Sequence, residues 1–191
     1  MSSLAGQRAL RVSATLMRST RGTSLAGKAE KSVSIRRAVP GDAFRVKKLE
    51  IDAGLSPWPA ADYEKEAVRD GSLFFVAVLK NNDSLSGFIL VRLITHIQRY
   101  DKGSIPLAHA ELLNIAVSSE NRRSGIGRRL LLEAVKHFEA DTTNLNLEVR
   151  RSNNSAIAFY KDFGFVEVAI RPGLYRDPPE DGILLSMRIN K

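Results

Sequence analysis

The 191-residue chain contains no cysteine. That excludes disulfides, cysteine nucleophiles and thiolate metal sites, and it fits oxidising and reducing compartments equally well. Histidine is scarce too. His96, His109 and His137 are scattered and never paired at helical spacing, so no zinc site or other metal centre is expected. No apolar run approaches the roughly 18 residues of a membrane span. Acidic residues are nearly missing from the first 32 positions, where Arg8, Arg11, Arg18, Arg21, Lys28 and Lys31 face Glu30 alone. This segment therefore carries five of the eight net positive charges, and the remainder keeps three. Beyond it there is only mild reason to expect an anionic partner.

What is present describes an ordinary globular domain, 43% hydrophobic and 26% charged. Residues 1–32 are rich in Arg, Ser, Ala and Gly. They read as a disordered basic extension of a cytoplasmic protein or as a transit peptide for a plastid or mitochondrion. The folded domain is expected at 33–191. SVSIRRAV (32–39) alternates as a first strand. A helix follows, with Asp42 as its cap, Phe44, Val46, Leu49 and Ile51 on its apolar face, and Gly54 as its stop. LSPWPAAD is a Pro-broken loop before a short helix through DYEKEAVRD. SLFFVAVLK and LSGFILVRLITHIQR read as two strands joined at NNDS. RYDKGSIP reads as a loop, and LAHAELLNIAV (107–117) as the next strand.

A helix then carries Leu130, Leu131, Ala134, Val135 and Phe138 on one face. NLNLEVR (144–150) alternates as a strand. SNNSAIAFYKDFGF is a helix with Asn153 as N-cap and Gly164 as stop. FVEVAI and DGILLSMRI complete the set. The order β-α-α-β-β-β-α-β-α-β-β predicts a single α/β domain, a mixed sheet with helices on both faces.

Between the fourth strand and the third helix lies NRRSGIGRRL (121–130), with two glycines and four arginines. A strand that enters a helix through a glycine turn suits an anion, because the first helical N–H groups are unpaired and the dipole is positive there. Gly125 and Gly127 would let a phosphate approach the main chain. Arg128 stands where a P-loop needs Lys, and Leu130 where a dinucleotide fingerprint needs a third glycine.

NIAVSSENRRSGIGRRLL resembles the acetyl-CoA signature of the GNAT acetyltransferases, R/Q-x-x-G-x-G/A. Downstream, LEVRRSNNSAIAFYKDFGF is similar to the block of the RimI-type branch, the ribosomal-protein alanine N-acetyltransferases. RPGLYRDPPEDGILLSM is similar to the end of that branch. The likeness is close over 111–188 and looser over 33–110. It implies the GNAT fold and acetyl-CoA as co-substrate. Its pyrophosphate would lie on the main chain of Arg123, Ser124, Gly125, Ile126, Gly127 and Arg128. Its pantetheine arm would pair with Ile115, Ala116 and Val117 as an added strand. Asn153 would contact the cofactor while also capping its helix.

Acetyl transfer to an amine needs a base, an acid for the departing thiolate and donors for the oxyanion. Glu148, in the apolar strand LNLEVR, is the candidate base. Partial burial would raise its pKa, and the resemblance puts the family's base here. The other reading is a strand residue turned to solvent. Tyr160 is the candidate acid, by its matching position and a phenol's neutrality. Its alternative is core packing beside Phe159 and Phe163. Glu111 departs from the branch's pattern and is a second candidate base. Trp58, Tyr175 and Asp181 are candidates to line a peptide groove, and a main-chain N–H near Val117 to hold the oxyanion.

The implied partner is the N-terminal segment of a protein, and the implied target a ribosomal N-terminal alanine. Neither nucleic acid nor membrane is an expected partner. Two other readings compete: a lysine or small-molecule acetyltransferase on the same fold, and an RNA-binding module with Arg122, Arg123, Arg128, Arg129, Arg150 and Arg151 as its patch.

Overall fold

A computed structural model describes residues 32–55, 58–100 and 103–189, with the backbone alone for 96–100 and 103–107. The basic segment 1–31 lies outside the described residues. The elements are β1 (Val33–Arg37), α1 (Ala43–Asp52), α2 (Ala60–Val68), β2 (Ser72–Leu79), β3 (Leu85–Tyr100), β4 (Gly103–Val117), α3 (Ile126–Lys136), β5 (Thr142–Arg150), α4 (Asn154–Phe163), β6 (Val166–Arg176) and β7 (Pro179–Arg188). Their order is the one the sequence pattern predicts.

The strands form one sheet in the order β1-β2-β3-β4-β5-β7-β6. Every neighbouring pair is antiparallel except β4 and β5, which are parallel. Alternation along the strands divides the core in two. Phe75, Ala77, Ile89, Val91, Leu145 and Leu147 pack with α3 and α4 through Leu130, Leu131, Tyr160 and Phe163. Phe74, Val76, Phe88 and Leu90 pack with α1 and α2 through Val46, Leu49 and Tyr63. All of β2 is buried, which is why SLFFVAVL reads as an unbroken apolar run rather than an alternating one.

Three local expectations need correction. The buried face of α1 is Ala43, Val46, Leu49 and Glu50, while Phe44 and Ile51 are 75% and 57% exposed. Positions 43, 46 and 50 are separated by three and four residues, so a carboxylate rather than Ile51 completes the helical stripe. Asp42 sits at the start of α1 but its side chain does not cap it. Instead it takes two bonds from Arg36, at 2.7 and 2.9 Å, and one from Val39 N–H. Those bonds hold its carboxyl below the usual range, although burial pulls the other way. RYDKGSIP is not an open loop. The β3–β4 ladder continues through Arg99↔Ser104 to Tyr100↔Gly103, because the β-branched alternation of LITHI carries the hairpin outward.

The site depends on one irregularity. β4 and β5 are paired from Ala108↔Thr142 only as far as Glu111↔Asn146. Beyond that rung β4 keeps pairing with β3 up to Val117, and β5 with β7 up to Arg150. The two parallel strands therefore part into a fork. Opposite the fork, the β3–β4 register skips Leu113 between Leu112 and Asn114, a bulge that bends β4.

Candidate active site

The fork leaves the β5-facing edge of β4 without a neighbouring strand over Leu112–Val117. Ile115, Ala116 and Val117 lie on this edge, and their other edge is held by Ile89, Phe88 and Gly87. A ligand with amide groups can pair there as an extra strand.

The glycine turn closes one end of the fork. A short 3-10 turn, Ser119–Asn121, leaves β4. Arg123 then adopts φ +61° and Gly125 φ +79°. Left-handed residues spaced along a turn gather main-chain N–H groups into an anion-binding concavity. The first helical bond of α3 runs from Arg129 N–H to the Gly125 carbonyl, 3.0 Å. The N–H groups of Ile126 and Gly127 precede it and have no acceptor inside the helix. A Cβ on Gly125 would meet nothing within 4 Å; one on Gly127 would meet Phe159 at 3.6 Å and Val117 at 3.7 Å. Gly127 therefore borders the passage between the end of β4 and α4. Ser124 Oγ donates to the Asn121 carbonyl and braces the turn.

The arginines around the turn serve mainly the protein itself. Arg122 Nε donates to the Val117 carbonyl (3.2 Å), Arg128 lies over the Phe163 ring at 5.3 Å, and Arg129 Nη2 donates to the Val33 carbonyl (2.8 Å). Arg150 stacks on Tyr175 at 4.2 Å and donates to Pro178 and Asp177 carbonyls, and Arg151 pairs with Asp181 at 3.5 Å. Five of the six arginines of the alternative patch thus also have contacts within the protein.

Glu148 lies two residues past the last β4–β5 rung. Leu147 and Val149 beside it face the α3–α4 core, so Glu148 points to the opposite side. Its side chain is 36% exposed and ion-paired with Arg171 of β6. The burial expected for it is not found, because strand alternation turns it outward. Glu111, on the last rung, points to the same side as Arg92 and Asn146 and lies 3.5 Å from His109 Nε2.

Tyr160 comes from the other face. It is buried in α4 between Phe159 and Phe165, at 5.3 and 5.5 Å. Among the described residues its hydroxyl makes no hydrogen bond. Burial, reinforced by Tyr175, pushes its pKa well above the ordinary phenol value. Tyr175 senses both groups: its own pKa is raised by burial and then by Glu148. Asn153 is exposed and caps α4, its Oδ1 accepting from Ala156 N–H at 3.1 Å. Asp181 clasps the β6–β7 hairpin, accepting from Gly173 N–H at 2.9 Å. Trp58 stacks on Tyr63 at 5.5 Å in the link between α1 and α2.

Sequence reasoning missed Arg171, Glu50, Tyr63 and Asn114. Glu50 and Asn114 had a signal, a polar residue inside an apolar stripe or strand. Arg171 had none, since its meeting with Glu148 depends on the order β5-β7-β6. Among the described residues, no group of three metal-ligating side chains comes together.

A mixed sheet split at a parallel pair, with an anion-binding helix start at the mouth of the split, defines an acyl-CoA-dependent N-acyltransferase. Residues 43–165 match the model of the acetyltransferase (GNAT) family, and the chain belongs to that family. It is 39% identical over 146 residues to the [ribosomal protein bS18]-alanine N-acetyltransferase of Salmonella typhimurium, covering 75% of this chain and 88% of that one. The crystal structure of the ribosomal-protein-S18-alanine N-acetyltransferase from Escherichia coli superposes with a TM-score of 0.66 at 28% identity, covering 84% and 96% of the two chains. Arabidopsis thaliana NAA60 in complex with acetyl-CoA shares the fold, with a TM-score of 0.73 at 21% identity over 84% of this chain and all of that one. The protein is an acetyl-CoA-dependent N-acetyltransferase.

Proposed function

We propose that the protein acetylates the N-terminal α-amine of another protein, its natural target being the N-terminal alanine of a ribosomal protein. The observation that carries this reading is the match to the Salmonella enzyme over 75% of the chain. The fork supports it. The edge at Ile115–Val117 would take the pantetheine arm. The main chain from Arg123 to Arg128 would take the pyrophosphate, and Asn153, at the start of α4, would contact the arm.

A free α-amine has a pKa of about 8 and is mostly protonated at neutral pH. The ammonium first loses one proton to solvent; as the neutral nitrogen attacks the thioester carbonyl, Glu148 would receive the second, directly or through water. The carbon–sulfur bond then breaks, and Tyr160 would return a proton to the thiolate. The raised pKa of Tyr160 suits this donor role, since it stays protonated wherever the amine is reactive. The sheet is open at the fork, so a base on one face would serve the attacking nitrogen and an acid on the other the departing sulfur of the same thioester. Arg171 occupies the position that a substrate ammonium would take beside Glu148. Glu111 would assist from the last rung, and Trp58 and Tyr175 would wall the acceptor groove.

The reaction belongs where ribosomal proteins are made, in the cytoplasm, or in an organelle if residues 1–32 direct import. Side-by-side turnover of alanine-starting peptides, N-terminally blocked lysine peptides and polyamines tests the proposal. Fastest turnover of the alanine peptides is expected; preference for either of the others would overturn it.

A further inference from the structure

Glu50 is fully buried near the end of α1, and among the described residues it has no cationic partner. Its two hydrogen bonds among the described residues come from neutral donors. Its Oε2 accepts from the Trp58 main-chain N–H at 3.1 Å, and its Oε1 from Asn114 Nδ2 at 3.0 Å. Tyr63, fully buried, accepts from the same Asn114 Nδ2 through its hydroxyl at 3.0 Å, and burial together with the neighbouring Glu50 raises its pKa. A carboxyl group removed from water is costly unless its oxygens are hydrogen-bonded, and here each oxygen accepts from an N–H donor. The four residues come from α1, from the α1–α2 link, from α2 and from β4. Asn114 directly follows the bulge at Leu113 and directly precedes Ile115.

One buried carboxyl group thus ties the Trp58 wall to the strand edge that opens onto the fork. Trp58 is held twice, by its N–H on Glu50 and by its ring on Tyr63. We infer that Glu50 is a positioning residue that fixes the acceptor-side wall, through Trp58, relative to the donor-side strand β4. The inference rests on the reading that the acceptor amine enters between the α1–α2 link and the fork.

Glu50→Gln is the test, because the amide has the same shape but only one accepting oxygen. Its NH₂ must then face either Trp58 N–H or Asn114 Nδ2, donor against donor. Trp58 is the chain's one tryptophan, so its fluorescence reports the wall without any activity assay. Acrylamide quenching of Trp58 should rise in Glu50→Gln. The KM for an alanine-starting peptide should rise about tenfold, about 1.4 kcal/mol, while the acetyl-CoA Kd stays within about twofold. Tyr63→Phe, which keeps the ring stack and removes the hydroxyl that accepts from Asn114 Nδ2, should shift both readouts the same way by less, and it carries the test if Glu50→Gln does not fold. Val135→Ala, in the core on the opposite face, should lower the melting temperature and leave Trp58 quenching alone.

Unchanged quenching and peptide KM in a folded variant would overturn the inference. So would an equal rise in quenching in Val135→Ala. If the unmodified protein acetylates no peptide amine, the functional reading fails by itself, and quenching still decides whether Glu50 holds the wall.

Discussion

Gly127→Ala separates two properties that most substitutions in the glycine turn would confound. In the folded protein the added methyl meets Phe159 and Val117 at 3.6 and 3.7 Å, ordinary contact distances. Gly127 lies in the first turn of α3, where alanine is favoured over glycine by about 0.5–1 kcal/mol. The melting temperature should therefore hold or rise by about 2–4 °C for a chain of this size. Cofactor binding should behave oppositely. The methyl narrows the passage between the end of β4 and α4, where a diphosphate would approach the N–H groups of Ile126 and Gly127. Losing one such charge-assisted bond costs about 1.5–3 kcal/mol, roughly a ten- to hundredfold rise in Kd. Gly125→Ala is a poorer probe, since φ +79° adds about 1–2 kcal/mol of backbone strain. Calorimetric titration with acetyl-CoA, beside thermal melts of Gly127→Ala and Arg129→Ala, decides the matter. Arg129→Ala removes a 2.8 Å bond to the Val33 carbonyl and should lower stability while leaving acetyl-CoA affinity nearly unchanged. If Gly127→Ala binds as tightly as the original and Arg129→Ala does not, the turn is a charge patch and the main-chain argument is wrong.

Further expectations concern the chemistry and the scaffold. Glu148→Gln and Tyr160→Phe should each lower kcat by about 10²–10⁴-fold with little change in acetyl-CoA affinity, and full turnover in both would sink their assigned roles. Arg171→Ala removes the internal competitor for Glu148. Because the pair is exposed, worth about 0.2–1 kcal/mol, the KM for the peptide amine should fall by no more than about fivefold, and a rise would show that Arg171 serves the substrate instead. The lowered pKa of Asp42 gives its bond network a pH dependence of known sign. Its contribution is fully present above the unfolded carboxyl pKa of about 3.9 and is lost as pH falls through the lower folded value. Melts at descending pH should show Asp42→Asn converging with the original protein in acid; a gap that widens toward acid would contradict this.

The element order was legible because apolar periodicity, the caps at Asn153 and Gly164, and the glycine turn each left a local mark. What stayed hidden was non-local. Nothing in LEVR says whether Glu148 faces a core or the solvent, and the sheet order β5-β7-β6 puts Arg171 beside it. The fork itself depends on where β4–β5 pairing ceases, at Glu111↔Asn146, and no residue pattern announces that end. Phe44 and Ile51 suggested a face for α1 by hydrophobicity alone, whereas the structure turns both to solvent and buries the stripe that ends in Glu50. Glu50 broke the apolar pattern for a reason that appears only when Trp58, Tyr63 and Asn114 arrive from three other segments.

The central claim is transfer to an α-amine at a protein N-terminus. A single peptide that begins with alanine and carries an internal lysine presents both amines to the same site. Incubated with the protein and acetyl-CoA and then fragmented in a mass spectrometer, it should carry the acetyl group on the alanine nitrogen, and Glu148→Gln should abolish the product. Acetyl found first on the lysine side chain, or no acetyl on either nitrogen, would contradict the account.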